Sequence, residues 1–228
     1  MIKACIFDLD GTLSDTIADI ADSGNYALEK NGFLPYPEKD YCYFCGSGVR
    51  TLIQRMLEKQ PHTPQQFEQV LADYSRQYAA HNMDKTCAYK GIPQLLSFCR
   101  EQGVACAVVS NKPMADTQAV VSRLFGDEIF QEVYGNKPPI PVKPAPDAVF
   151  YVMDKLGVQP EECLYFGDTD VDMQTAKNAG LTAIGALWGF RTYQELQENG
   201  ADYILEDPRD AISLIAAENG TKQKEGKE

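Results

Sequence analysis

Ala4-Cys5-Ile6-Phe7-Asp8-Leu9-Asp10-Gly11-Thr12, near the start of the chain, is the stretch that decides the fold. Its four leading apolar residues read as a strand buried on both faces, of the kind found in parallel sheets. Two aspartates and a glycine then end the strand. In a doubly wound sheet the ligand lies beyond the carboxyl ends of the strands. The acids therefore fall where such a fold does its chemistry. Gly11 lets the chain turn there, so Asp8 and Asp10 can face one cavity.

Further along, Val104–Val109, Leu164–Phe166, Thr182–Leu187 and Tyr203–Leu205 repeat the apolar run. Between these runs lie helical patterns over Ile92–Arg100, Met114–Leu124, Pro146–Leu156, Val171–Ala179 and Tyr193–Glu198. Three of them end in a glycine followed by an apolar residue (Gly103-Val, Gly157-Val, Gly180-Leu), a helix stop and a return to strand. Strand, helix, glycine, strand, several times over, predicts an α/β protein with a doubly wound parallel sheet.

Residues 16–84 break this rhythm. Ile17, Ile20, Ala21, Ala27 and Leu28 make one helical stripe. Val49, Leu52, Ile53, Met56 and Leu57 make a second, and Phe67, Val70, Leu71, Tyr74 and Tyr78 a third. No strand separates them. The expected organisation is a core of residues 1–15 and 85–216 with a helical cap at 16–84, hinged near Asp15–Thr16 and Asp84–Thr86. The polar end, 217–228, carries no apolar anchor and is expected to be disordered.

The 228 residues include 33 acidic and 21 basic side chains, a net charge of −12. Affinity for nucleic acid comes from Lys and Arg, so that class of partner is excluded as the main one. A small anionic substrate remains possible if a cation sits at the site. No apolar run approaches the roughly 20 residues of a membrane span, and the opening run is too short for a signal peptide. Seven cysteines, an odd number, and no export signal point to a reduced protein of the cytoplasm. Cys42-Tyr-Phe-Cys45 lacks the second pair a zinc site needs, so the thiols read as small buried hydrophobes.

The residues just past the strand ends carry the chemistry. After the first strand come Asp8 and Asp10; after the second, Ser110-Asn111-Lys112; after a later one, Gly167-Asp168-Thr169-Asp170-Val171-Asp172. Lys143 precedes that later strand. Asp8 and Asp168 together offer hard oxygen ligands for Mg²⁺, which favours one or two carboxylates plus water and phosphate oxygens. One of Asp8 and Asp10 suits a nucleophile and the other a general acid/base. Ser110 and Lys143 supply a hydroxyl and a charge to a phosphoryl group. Competing readings fail on spacing. An EF-hand counted from Asp168 puts Met173 where glycine is needed and Ala179 where glutamate is needed. There is no GxxxxGK[ST], Gly46-Ser-Gly48 lacks the rest of a dinucleotide fingerprint, and both histidines, His62 and His81, lie in the insert. Lys90 reads as a solvated charge; Lys112 is open between that and a place at the site.

The motifs Phe-Asp8-Leu-Asp10-Gly-Thr12, Val-Ser110-Asn111, Lys143-Pro and Gly167-Asp168-xxx-Asp172, in that order, resemble those of the haloacid dehalogenase-like hydrolase superfamily over about residues 1–216. The resemblance implies that Asp8 attacks phosphorus and that Asp10 protonates the leaving alkoxide, then activates water. It implies that Ser110 and Lys143 hold the phosphoryl oxygens, and that Asp8, Asp168 and the Asp10 carbonyl bind Mg²⁺. Asp172 would orient a metal-bound water or Lys143, and Thr12 and Asn111 would complete the substrate loops. The aspartate at position 10 disfavours dehalogenation, because a proton donor for an alkoxide is what ester cleavage needs. Ser110-Asn-Lys112-Pro, Gly46-Ser-Gly48-Val-Arg50 and Gly189-Phe-Arg look like the phosphoglycolate phosphatase branch, with Arg50 expected to reach the non-reacting end of the substrate. Pyrophosphatases and β-phosphoglucomutase share much of the same text, and a non-catalytic binding protein on this fold is the alternative outside enzymes. The implied partner is a small phosphorylated metabolite.

Overall fold

The run Ala4–Phe7 forms β1, fully buried, and sits third in a six-stranded sheet. In the computed structural model, which describes residues 1–225, β1 is followed by β2 (Ser14–Asp15) and four helices: α1 (Ile17–Lys30), α2 (Glu38–Phe44), α3 (Val49–Leu57) and α4 (Pro64–His81). Then come β3 (Cys87–Ala88), α5 (Ile92–Glu101), β4 (Ala105–Pro113), α6 (Met114–Phe125), β5 (Glu132–Asn136) and α7 (Asp147–Leu156). The chain ends with β6 (Cys163–Gly167), α8 (Asp170–Ala179), β7 (Thr182–Ala186), α9 (Tyr193–Glu198), β8 (Tyr203–Leu205) and α10 (Asp210–Glu225).

The sheet order is β5-β4-β1-β6-β7-β8, and every neighbouring pair is parallel. Successive side chains of a strand point to opposite faces. Cys5 and Phe7 therefore join α5, α6 and α10 residues in one apolar cluster. Ala4 and Ile6 join α7, α8 and α9 residues in the other. This is the expected doubly wound α/β architecture. The order reverses at β1, which has β4 on one side and β6 on the other. The ligand crevice of such sheets opens at that reversal, and Asp8 is the first residue past β1.

The inserted helices build a third cluster of their own, with Leu28, Tyr41, Ile53, Met56, Leu57 and Val70 fully buried. Ser14 and Asp15 pair antiparallel with Ala88 and Cys87, so the chain leaves for the cap and returns from it along one short ribbon. Asp19 pins the returning strand. Its carboxylate accepts from the Lys85 and Thr86 backbone N–H groups and from the Thr86 hydroxyl, at 2.7–3.1 Å.

Four details depart from the sequence expectation. β5 carries the run Glu-Val-Tyr-Gly-Asn, half polar because it is an edge strand, and so has no unbroken apolar signal. The α2 helix is only seven residues long, too short for periodicity to register. β4 continues through Ser110, Asn111 and Lys112, with a register shift between Val109 and Pro113 rather than an early end. Such an irregularity re-aims side chains at a sheet rim. Of the tail expected at 217–228, the part up to Glu225 continues α10. Asn219 holds it to the core, accepting from the Ile2 N–H at 2.6 Å and donating to the Ile2 carbonyl at 3.2 Å. Of that tail, residues 226–228 lie outside the described residues.

Gly24 lies in the middle of α1, where glycine ordinarily costs stability. A Cβ there would come within 2.5 Å of the Tyr41 ring and hydroxyl. Gly24→Ala gains helix propensity, but over-packing of this kind costs about 1–3 kcal/mol. The expected result is a lower melting temperature; a stabilised variant would show that the α1–α2 contact is looser than described.

Candidate active site

The loop after β1 winds around one carbonyl. Leu9 O accepts from the backbone N–H groups of Thr12, Leu13 and Ser14 and from the Ser14 hydroxyl, at 3.0–3.3 Å. Gly11 holds φ +85°, and a Cβ on it would stand 2.1 Å from Asp168 Oδ2. Only glycine allows the first loop and the β6 end to meet so closely. Asp8, Asp168 and Asp172 are all buried, and one carboxylate oxygen from each lies within 4.8 Å of the others.

Lys143 stands among them, 2% exposed, on the loop before α7. Its ammonium lies 2.7 Å from Asp172 Oδ1 and 2.9 Å from Asp8 Oδ1. Burial alone would push such an ammonium towards losing its proton, but the charges of Asp172 and Asp8 outweigh it and raise its pKa well above the ordinary lysine value. Asp172 is held in turn by the Thr169 hydroxyl at 2.6 Å and the Thr169 N–H at 3.2 Å. Asn111 fixes the lysine's backbone, accepting from Lys143 N at 2.8 Å and donating to Lys143 O at 3.0 Å.

The acids outnumber the cations beside them. Burial pushes the Asp8 carboxyl up to about 7 against the pull of Lys143, with Asp172 and Asp10 adding like charge. Burial likewise drives Asp168 well above the ordinary carboxylate range; Asp172 and Asp8 add to this, and donors from Phe190 N–H and Thr12 oppose it. The Lys143 contact with Asp8 Oδ1 is an ion pair without hydrogen-bond geometry, so that buried oxygen has no hydrogen-bond donor. Buried hard oxygens short of positive charge fit a small divalent cation. Asp8 Oδ1 lacks a hydrogen-bond donor, Asp168 accepts from Thr12 and the Phe190 N–H, and Asp172 accepts from Lys143 and Thr169.

Asp8, Asp10, Ser110, Asn111 and Lys112 share the wall of a cavity of about 70 Å³ with Gly46, Gly48, Tyr74 and Tyr78 of the cap. Lys112 is buried, and its ammonium lies 2.8 and 2.7 Å from the two Asp10 oxygens. It is a site residue and not a solvated charge.

Three residues expected at the substrate have other partners in the structure. Thr12 spends its hydroxyl on Asp168 Oδ1 at 2.8 Å. The amide of Asn111 is taken by the Lys143 backbone and by Gly46 O at 2.9 Å, which makes it a tie between core and cap. Arg50 points away from the cavity. It forks onto Glu68 at 2.6 and 3.2 Å on the outer face of the cap, over the Phe67 ring. The glycine pair before it set the expectation, but the first turn of α3 carries that side chain outward.

The loop after β7 was legible only as text without a role. Gly189 packs against Asp168, where a Cβ would meet the aspartate's own Cβ at 2.2 Å. Phe190 N–H donates to Asp168 Oδ2 at 2.9 Å, and Trp188 Nε1 donates to Thr12 O at 2.9 Å. Arg191 donates to Cys42 O and covers the Tyr43 ring, so this loop too grips the cap.

A family model described as haloacid dehalogenase-like hydrolase matches residues 5–186. A phosphoglycolate phosphatase of Mannheimia succiniciproducens is 31% identical over 92% of this chain and 96% of that protein. One from Aquifex aeolicus is 30% identical over 94% and 97%. A crystal structure from Lactobacillus delbrueckii subsp. bulgaricus superposes with a TM-score of 0.89 at 35% identity, covering 93% of this chain and 98% of that one.

Two measurements check this geometry. A divalent cation bound only by the folded state raises the melting temperature, by about 2.7 kcal/mol of stability at a hundredfold excess over its Kd. Asp168→Asn is expected to shrink that shift; an undiminished shift would place the ion elsewhere. Arg50→Ala is expected to leave kcat/KM near wild type, whereas a large rise in KM would return Arg50 to the substrate.

Proposed function

The chain belongs to the haloacid dehalogenase-like hydrolase family, and on that premise we propose that Asp8, Asp10, Ser110, Lys143 and Asp168 are the machinery of a Mg²⁺-dependent phosphatase for a small metabolite ester, phosphoglycolate foremost. With relatives of that name along nearly its whole length, it is a phosphoric monoester hydrolase. The observation that carries the residue roles is Lys143 set between Asp8 and Asp172, with Asp10 on the same cavity.

Asp8 attacks phosphorus through a carboxylate oxygen while the ester oxygen–phosphorus bond breaks. Asp10 gives its proton to the departing alkoxide. The now basic Asp10 takes a proton from water, whose oxygen attacks the same phosphorus; the bond to Asp8 breaks and phosphate leaves. Lys143 and the Ser110 hydroxyl hold phosphoryl oxygens as charge develops on them. Asp8 and Asp168 would hold Mg²⁺, which would offset the carboxylate–phosphate repulsion.

The cavity is small, at about 70 Å³, which suits an ester with a short tail. Cap residues close one side of it, excluding bulk water from the acyl phosphate. Among the described residues no helix is long and apolar enough to cross a membrane. All seven cysteines are free thiols, in keeping with a place in the reducing cytoplasm.

Release of inorganic phosphate from phosphoglycolate with and without Mg²⁺ tests the assignment. Asp8→Asn is expected to lower kcat by about 10³-fold or more, and Asp10→Asn by about 10²- to 10⁴-fold, each with the fold retained. An Asp8→Asn protein turning over at the wild-type rate would end the assignment, and conversion of a sugar monophosphate to its isomer without phosphate release would move it to a mutase.

A further inference from the structure

With Arg50 turned outward, the cavity needs another group to meet a charged substrate tail. Lys112 is the one cationic side chain lining it among the described residues. It comes from β4 of the core, is 8% exposed, and lies 4.6 Å from the ring centroid of Tyr78 on α4 of the cap. Tyr78 is 2% exposed, and its hydroxyl makes no hydrogen bond of good geometry, although it lies close enough to the Lys112 ammonium for the two to interact. A buried hydroxyl without a partner is costly unless something fills the place. An ammonium offers three N–H donors and a phenol one, and Asp10 takes only two of the ammonium's.

Position points the same way. The leaving oxygen of the ester must sit against Asp10, which protonates it. Lys112 is one contact beyond Asp10, at 2.7–2.8 Å. In a 2-phosphonooxy acid the carboxylate oxygens are three bonds from the leaving oxygen, which brings them within reach of that ammonium. Asp116 also lines the cavity, its carboxyl pushed up by burial against the pull of Lys112.

We propose that Lys112 and Tyr78 form the subsite for the carboxylate of the substrate, one donor from the core and one from the cap. This rests on the phosphatase reading above and deepens it. The cap is then held shut over a carboxylate-bearing ester by two charge-assisted contacts, and a neutral tail leaves both donors unmet. Specificity resides in the junction between the two parts of the molecule and not on the cap alone.

The test compares kcat/KM for phosphoglycolate and for ethyl phosphate, which puts a methyl group where the carboxylate was. The wild type is expected to favour phosphoglycolate by about 100-fold or more. Tyr78→Phe, which removes one oxygen atom and keeps the packing, is expected to cut that ratio about tenfold, and Lys112→Met about 100-fold. If both variants lower the two substrates equally, the residues only support Asp10 and the subsite is wrong while the phosphatase stands. If the wild type cleaves both esters alike, the carboxylate-bearing substrate falls and the subsite with it. If it cleaves neither, the phosphatase reading itself has failed.

Discussion

The ammonium of Lys143, sealed between Asp8 and Asp172, is the contact on which the rest of the site depends. Three carboxylates brought within a few ångströms in a dry place repel one another, and burial pushes the carboxyls of Asp8 and Asp168 up. One buried cation, Lys143, offsets part of that repulsion at Asp8 and Asp172. Much of the neighbouring chain serves that one group. Asn111 spends its amide on the lysine's backbone, Thr169 spends its hydroxyl on Asp172, and Tyr165 places its hydroxyl 3.2 Å from the ammonium. What this leaves short of positive charge is the side of Asp8 and Asp168, and that shortage is the electrostatic description of a cation site.

The parallel sheet was legible because its strands are buried on both faces and therefore apolar without interruption, as in Ala4–Phe7 and Leu164–Phe166. β5 was not, since an edge strand shows polar residues to water. The charged residues at the strand ends were legible by position: Asp8, Asp10, Ser110, Lys143 and Asp168 come together as chain order and fold class required. Direction was the part that stayed hidden. Whether Arg50 turns in or out depends on the phase of α3 against α4, and Glu68, eighteen residues on, decides it. Lys112 looked like any lysine, because its burial is set by a register irregularity in β4 that no residue type announces.

Core and cap are less separate than their apolar clusters suggest. Phe190 belongs to the core by sequence, yet its ring packs with the cap helices while its backbone N–H bonds Asp168. Asn111 bonds Gly46 of the cap and the loop of Lys143 at once. A displacement of the cap would therefore pull on the same backbone that holds Lys143 and Asp168.

The ribbon of Ser14–Asp15 against Cys87–Ala88 has a consequence for how such a molecule is put together. Strands paired side by side are only about 5 Å apart, so a tight turn could join them directly. Everything between is a loop that happens to be long enough to fold. The sheet does not use it for support, since its own clusters close on both faces without it. Insertions at this point are thus nearly free of penalty to the host. A change of length in the inserted segment leaves the pairing of β1 with β4 and β6 untouched.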